Sequence, residues 1–228
     1  MPNDTEKDPL ITNAAALSDE DVPKGGKLEE GTALCLSGGG YRAMMFHLGT
    51  LWALKDLEWE AIQWGSLVLE TLQEFPRIGP EAVMGIELNA YAAELARVTI
   101  WIGQIQWMLR HGLGYQRDPI LRPLDHIENR DALLDWTDPT QPREAEWPAA
   151  EFIVGNPPFL GGKLLRRGLG DEYVDVLFDV FDGRVPREAD FVTYWHEKAR
   201  TQIATGKTRR AGLLATQGIR GGANRRVL

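Results

Sequence analysis

Four consecutive residues, Asn156-Pro157-Pro158-Phe159, carry the groups needed to hold a flat base that bears an amino group. The asparagine amide oxygen can accept one hydrogen bond from an exocyclic amine and the Pro157 carbonyl the other, which draws electron density onto the nitrogen as it attacks. Both prolines fix φ near ~−65° and have no N–H to donate, so the Pro157 carbonyl faces a pocket and stays out of a sheet ladder. Phe159 offers a ring face, and stacking a base on such a ring contributes roughly 1–3 kcal/mol. A strand followed by a proline turn would use the same residues without the chemistry, and for a bare Asn-Pro-Pro the two readings carry equal weight.

The elements around this tetrapeptide suit the first reading. The apolar run Phe152-Ile153-Val154-Gly155 is a short buried strand that delivers Asn156 at its end, and Leu160-Gly161-Gly162 follows. Upstream, Ala82 to Glu87 reads as a strand ending in an acid. Asn89 and a long amphipathic helix from Ala90 to about Leu109 come next, with Leu95, Val98, Ile102 and Ile105 at helical spacing. A carboxylate at the C-terminal tip of a parallel strand lies at the crevice where α/β folds bind nucleotides, and it can accept from both ribose hydroxyls. A surface glutamate after a strand is the plain alternative. A third, shorter unit spans Ile127 to Leu134 and contains Asp131, with Asp125, Glu128 and Asp135 as nearby competitors. After the tetrapeptide, helices are expected over Asp171–Phe181 and over Arg187 to about Thr205, the latter bearing Phe191, Tyr194 and Trp195. A further buried strand is expected over Ala211–Thr216. At the front, residues 1–30 are polar without a sustained period and read as a disordered lead. Thr32 to Leu36 reads as a strand, Ser37-Gly38-Gly39-Gly40 as a turn, and Tyr41 to about Leu57 as a helix, the opening unit of many α/β folds.

Composition narrows the classes. A chain of 228 residues, 43% hydrophobic, can bury one full core or one domain with an appendage. Its single cysteine, Cys35, excludes an internal disulfide and a cysteine-rich zinc site, and the four histidines show no metal-ligand spacing. No run approaches 18 apolar residues and the acidic start lacks a basic n-region, so neither a membrane span nor a signal peptide is expected, and the cytoplasm is the default location. The net charge of −8 is unevenly spread. Residues 152–228 hold 13 Lys and Arg against 8 Asp and Glu, while residues 1–151 hold 12 against 25. The candidates for phosphate contact therefore gather after the tetrapeptide: Lys163, Arg166, Arg167, Arg184, Arg187, Arg209, Arg210, Arg220, Arg225 and Arg226. A solvated basic face would look the same at any one of them.

From about Leu51 to Leu228 the chain resembles the catalytic domain of adenine-N6 DNA methyltransferases, above all the large restriction-type (type IIG-like) enzymes that combine modification with cleavage; in that family Asn-Pro-Pro-Phe is the catalytic motif. The resemblance implies an α/β, Rossmann-like, mainly parallel fold that uses S-adenosylmethionine to methylate adenine N6 in double-stranded DNA. It places Asn156, Pro157, Pro158 and Phe159 at the base. The stretch Gly85-Ile86-Glu87-Leu88-Asn89-Ala90 is similar to the family's ribose-binding strand end, which makes Glu87 and Asn89 cofactor residues. Asp131 falls where the family places the acid that accepts from the cofactor's adenine amino group. Neither a metal nor a covalent intermediate is implied.

The front departs from the pattern. The family's acidic or aromatic residue and Cys-Gly-x-Gly type loop, which wrap the methionine part of the cofactor, do not occur. Residues 31–50, with Leu36 to Ala43 and Phe46-His47-Leu48-Gly49, instead resemble the start of patatin-like phospholipases, where a Gly-Gly-Gly-x-Arg turn supplies oxyanion-hole N–H groups. A patatin also needs a Gly-x-Ser-x-Gly elbow, and none is present. The expected organisation is a lead over 1–30, a patatin-like strand-turn-helix over 31–50 and a truncated methyltransferase domain over 51–228, joined near Gly49–Ala53. A patatin-like acyl hydrolase fragment and a non-catalytic fusion remnant are the alternative readings.

Overall fold

The run Val83–Glu87 is buried at four of its five positions, as expected of a strand covered on both faces of a parallel sheet. It is β2 of a five-stranded, wholly parallel sheet. The other members are β1 (Ala33–Ser37), β3 (Ile127–Asn129), β6 (Phe152–Asn156) and β7 (Arg210–Leu213), in the order β3-β2-β1-β6-β7. The computed structural model describes residues 33–37, positions 52, 53, 55, 56, 59 and 60, and residues 79–112 and 123–228. The expected lead over 1–30, the glycine turn Gly38–Gly40 and most of the helix expected over 41–57 lie outside the described residues. Trp52, Ala53, Lys55 and Asp56 are helical.

Strands proceed from β1 through β2 to β3 on one side, and the chain then crosses to the other side of β1 for β6 and β7. The order thus reverses between β1 and β6, and in open α/β sheets that reversal opens a crevice beyond the carboxyl ends of the strands. Alternation of side chains along the strands divides the core between the two faces. Ile86 and Ile153 join a large cluster with Leu133, Leu134, Trp147, Val174, Leu177, Phe181 and Tyr194. Val83 and Ile127 join a smaller one with Leu124 and Ile100.

Ile100 belongs to α1 (Ala90–Arg110), whose N-terminus is capped by the Asn89 side chain accepting from the Ala92 N–H at 3.1 Å. The face that packs differs from the one read in the sequence. Ala93, Ile100, Gly103 and Trp107 are buried, whereas Val98 and Ile102 are exposed. The small side chains allow close approach and the indole supplies area. Trp107 also donates to Asp56 at 2.6 Å, lies beneath the Lys55 ammonium at 4.4 Å, and is followed one turn later by stacked His111.

Between β3 and β6 a small antiparallel ladder, β4 (Leu134–Asp135) with β5 (Arg143–Glu144), was not evident in the sequence. After β6 come α2 (Leu165–Leu169), α3 (Asp171–Val180) and α4 (Val192–Ala204). Helix α4 starts five residues later than expected, because residues 187–191 are held to the loop after β6: the Phe191 N–H donates to Leu160 O at 2.8 Å. Strand β7 is also more exposed than expected. It is last in the strand order, and Arg210, Ala211 and Gly212 are open to solvent.

A half-buried ionic network ties β5 to α4. Lys198, 4% exposed, donates to Glu144 at 2.9 Å and to the Ala145 carbonyl, and Arg184 donates to the other Glu144 oxygen. Burial works against the Glu144 charge, yet Lys198 and Arg184 together hold its carboxyl below the ordinary value; burial draws the Lys198 ammonium downward, with Glu144 opposing.

Candidate active site

Register places the two principal polar groups at one level. Ser37 at the end of β1 pairs with Asn156 of β6, and Leu36 pairs with Ile86, so Ser37 is also level with Glu87. Glu87 and Asn156 therefore occupy equivalent positions on the strands flanking β1, both at carboxyl ends beside the reversal of strand order. With neighbouring strands ~4.8 Å apart, their backbones are separated by roughly 10 Å.

Both side chains present an unsatisfied acceptor. Glu87 is 6% exposed; its Oε1 accepts from the Asn89 N–H at 2.8 Å, while its Oε2 is buried and meets no donor among the described residues. Asn156 Oδ1 is in the same state. A buried polar atom without a partner costs about 1–3 kcal/mol, and two such acceptors stand here at the tips of the strands on either side of β1. Asn89, read as a cofactor residue, spends its side-chain oxygen on the α1 cap and orients Glu87 through its main-chain N–H.

Leu88, the residue after Glu87, lines a cavity of about 660 Å³ together with Asp131, Trp136 and Tyr173; Glu87 and Asn156 are not among the residues that line it. Asp131 Oδ1 accepts from the Leu133 N–H at 2.7 Å and the Leu134 N–H at 3.3 Å, which fixes the turn between β3 and β4. Tyr173 lines the same cavity as this carboxylate. Burial first, and then the Asp131 charge, push the Tyr173 phenol above its ordinary value, so it stays protonated. Asp135 is held down to about 2 by the Thr137 hydroxyl and amide, with Arg143 assisting. Its oxygens are thus committed to the hairpin, although Asp135 lines the same cavity as Asp131, Leu88 and Tyr173. Glu128 pairs with Arg130.

Two contributors escaped the sequence reading. Asn129 donates from its side chain to the carbonyls of Glu87 at 2.8 Å and Leu88 at 2.9 Å, clamping the tip of β2. Tyr173 closes the cavity from α3, and only its placement two residues into a helix beyond the tetrapeptide could have drawn attention to it.

Beyond Asn156, Pro157 is buried, Pro158 partly so, and Phe159 is 49% exposed with its ring available. Of the basic residues expected to meet phosphates, several are already engaged: Arg166 with Asp171 and Asp175, Arg184 with Glu144, Arg187 with Asp179, and Arg209 with Glu151. Lys163, Arg167, Arg210, Arg220, Arg225 and Arg226 are exposed and form no ion pair with another described residue. Among the described residues no group of three His, Cys, Asp or Glu could hold a metal ion, and no helix is long and apolar enough to cross a membrane.

A search of curated proteins finds no match. Among solved structures, the type IIL restriction-modification enzyme MmeI, determined in complex with DNA, is similar over 87% of this chain, with a TM-score of 0.60 and 24% identity; the chain spans 26% of that protein's length. The family model for the DNA-methyltransferase domain of MmeI matches residues 46–228, so β1, the strand between Glu87 and Asn156, precedes the matched segment. With four fifths of its length matched, the chain belongs to the MmeI DNA-methyltransferase domain family of restriction-modification enzymes.

Proposed function

We propose that the chain is an S-adenosylmethionine-dependent, adenine-specific DNA methyltransferase domain of Rossmann-like type, acting in the cytoplasm on N6 of adenine in double-stranded DNA. The observation that carries this reading is the pair of unsatisfied buried acceptors, Glu87 Oε2 and Asn156 Oδ1, at equivalent positions of the strands on either side of β1.

The residues present fit the cofactor. Glu87 offers a carboxylate to the two ribose hydroxyls, and Asp131, beside the apolar Leu88, offers acceptor capacity to an adenine amino group. S-adenosylmethionine, when bound, supplies an electrophilic methyl group. Asn156 and Pro157 do the rest on the substrate side. They accept hydrogen bonds from the two N–H groups of the target amine, hold the nitrogen lone pair toward the donor and stabilise the positive charge that develops there. Phe159 stacks on the base, which repays part of the few kcal/mol needed to flip it from the duplex. Lys163, Arg167, Arg210, Arg220, Arg225 and Arg226 are the side chains free to neutralise phosphates. Because the sequence lacks the family's cofactor loop, affinity for S-adenosylmethionine is expected to be weak and turnover slow.

The test is transfer of a labelled methyl group from S-adenosylmethionine to duplex DNA, followed by nucleoside digestion and mass spectrometry. Label on N6-methyladenine supports the reading. Label on cytosine alone overturns the base assignment, and absence of label at millimolar cofactor overturns the activity.

A further inference from the structure

The loop that carries Phe159 is fixed at both ends, and its second fixing reaches the final turns of the chain. At the near end Asn156 belongs to β6. At the far end the Leu160 carbonyl accepts from the Phe191 N–H at 2.8 Å, and the Gly162 N–H donates to Asp190 Oδ1 at 2.9 Å. Backbone runs against backbone here. A Cβ on Gly162 would lie 2.4 Å from the Glu188 carbonyl oxygen and 2.9 Å from that of Ala189, so no larger residue fits without displacing the loop.

Asp190 is held in turn by Asn224. The Asn224 Nδ2 donates to Asp190 Oδ2 at 2.7 Å and to the Gly218 carbonyl at 3.1 Å, while Asn224 Oδ1 accepts from the Asp190 N–H at 2.7 Å and from the Thr193 hydroxyl at 3.1 Å. Asn224 is 7% exposed and Thr193 is fully buried, so these bonds form away from competing water. One amide thus uses both of its ends on a single carboxylate-bearing residue, and that carboxylate's other oxygen holds the loop.

We propose that Asp190 and Asn224 form a clamp that positions the Pro157–Gly162 loop, and with it Phe159, for the target base; both are positioning residues acting through the loop. The inference rests on the methyltransferase reading of the loop. Its chemistry predicts an unusual reciprocity. Asn224→Asp sets two carboxylates against each other, and Asp190→Asn sets two amide NH2 groups against each other. The double exchange Asp190→Asn with Asn224→Asp restores one donor facing one acceptor at the clamp, and turns the bond to Gly218 into a contact between a carboxylate oxygen and a carbonyl oxygen.

The full chain and these three variants are compared in two ways. Hydrogen exchange followed by mass spectrometry of the 156–164 segment reads the loop without requiring turnover. Each single variant should exchange the Gly162 amide at least tenfold faster, and the double exchange should return it to within about threefold of the parent. In methyl transfer, each single variant should lose at least tenfold in kcat with KM for S-adenosylmethionine within twofold, and the double exchange should recover most of the loss. Unchanged exchange in both singles, faster exchange with unaltered kcat, or a double variant no better than the singles overturns the clamp. A parent chain that transfers no methyl group overturns the methyltransferase reading alone, and the exchange measurement then decides the clamp. If a single variant fails to fold, recovery in the double variant still decides it.

Discussion

Replacing Glu87 by alanine gives two effects of opposite sign, because the carboxylate serves a ligand better than it serves the fold. Its Oε1 is occupied by the Asn89 N–H, and its Oε2 is buried without a donor. A ribose hydroxyl that donates to Oε2 makes a charge-assisted bond of about 1.5–3 kcal/mol. At 1.4 kcal/mol per decade, its loss in Glu87→Ala weakens S-adenosylmethionine by about 10- to 150-fold. Glu87→Gln keeps the shape but only a neutral acceptor worth about 0.5–1.5 kcal/mol, so it should fall between parent and alanine variant. Meanwhile, the alanine variant no longer buries an unpaired oxygen, and the exposed Asn89 N–H can turn to water. The melting temperature should therefore hold or rise, by about 2–4 °C for each kcal/mol relieved. Saturation-transfer NMR titration, suited to millimolar affinities, measures the first effect and calorimetry the second. Affinity within twofold of the parent would refute the ribose role; a melting temperature that fell by several degrees would show that Glu87 is needed by the fold.

Asn156→Ala should abolish methyl transfer, a loss beyond 100-fold, and leave cofactor affinity within a few fold, since the amide meets the base; an unchanged rate removes Asn156 from its role. Lys198→Ala uncouples α4 from β5 and leaves Glu144 with Arg184 alone, for a loss of about 3 kcal/mol by urea unfolding; a change under about 0.5 kcal/mol would show the network to be idle. Stability should also fall at both extremes of pH. Asp135 and Glu144 have folded values below their ordinary 3.8 and 4.5, so the stability they contribute is complete above that range and is lost as pH falls through the folded values, about 2 for Asp135. Burial raises the phenols of Tyr173 and Tyr194 above the ordinary 10.0, so their contribution is complete below pH 10 and declines above it. Calorimetry from pH 2 to 11 should show both limbs, with the alkaline one flattened in Tyr173→Phe; an identical alkaline limb would contradict the assignment.

What the sequence revealed and what it hid follow from the range of the forces involved. Strands β2 and β6 and helix α3 were legible because their apolar runs and punctuation are local: Val83–Glu87 ends in a single acid, Phe152–Asn156 is followed by two prolines, and Asp171 begins a helix behind a glycine at φ 90. The polar strand tips were legible for the same reason, since a parallel strand delivers its last residue to the carboxyl edge wherever it sits in the sheet. That Glu87 and Asn156 share one level was not legible, because it depends on register through β1, a strand that lies in the sequence before the segment matched to the family. The packed face of α1 was misread because periodicity ranks side chains by hydrophobicity, whereas close packing also rewards smallness: Ala93 and Gly103 go in, the latter with its carbonyl accepting from Trp52 at 3.1 Å, while Val98 and Ile102 stay out. The start of α4 was misread because residues 187–191 have an alternative use. Asp190 and Phe191 give their hydrogen-bonding groups to a loop some 30 residues earlier, and a hydrogen bond across that separation leaves no trace in local pattern. The same holds for Asn129, Tyr173 and Asn224, each a common residue in an unremarked position whose role is set by what the fold places opposite it. The residues proposed to meet a ligand were thus nameable from type and place, whereas the residues that hold them still emerge only from the structure.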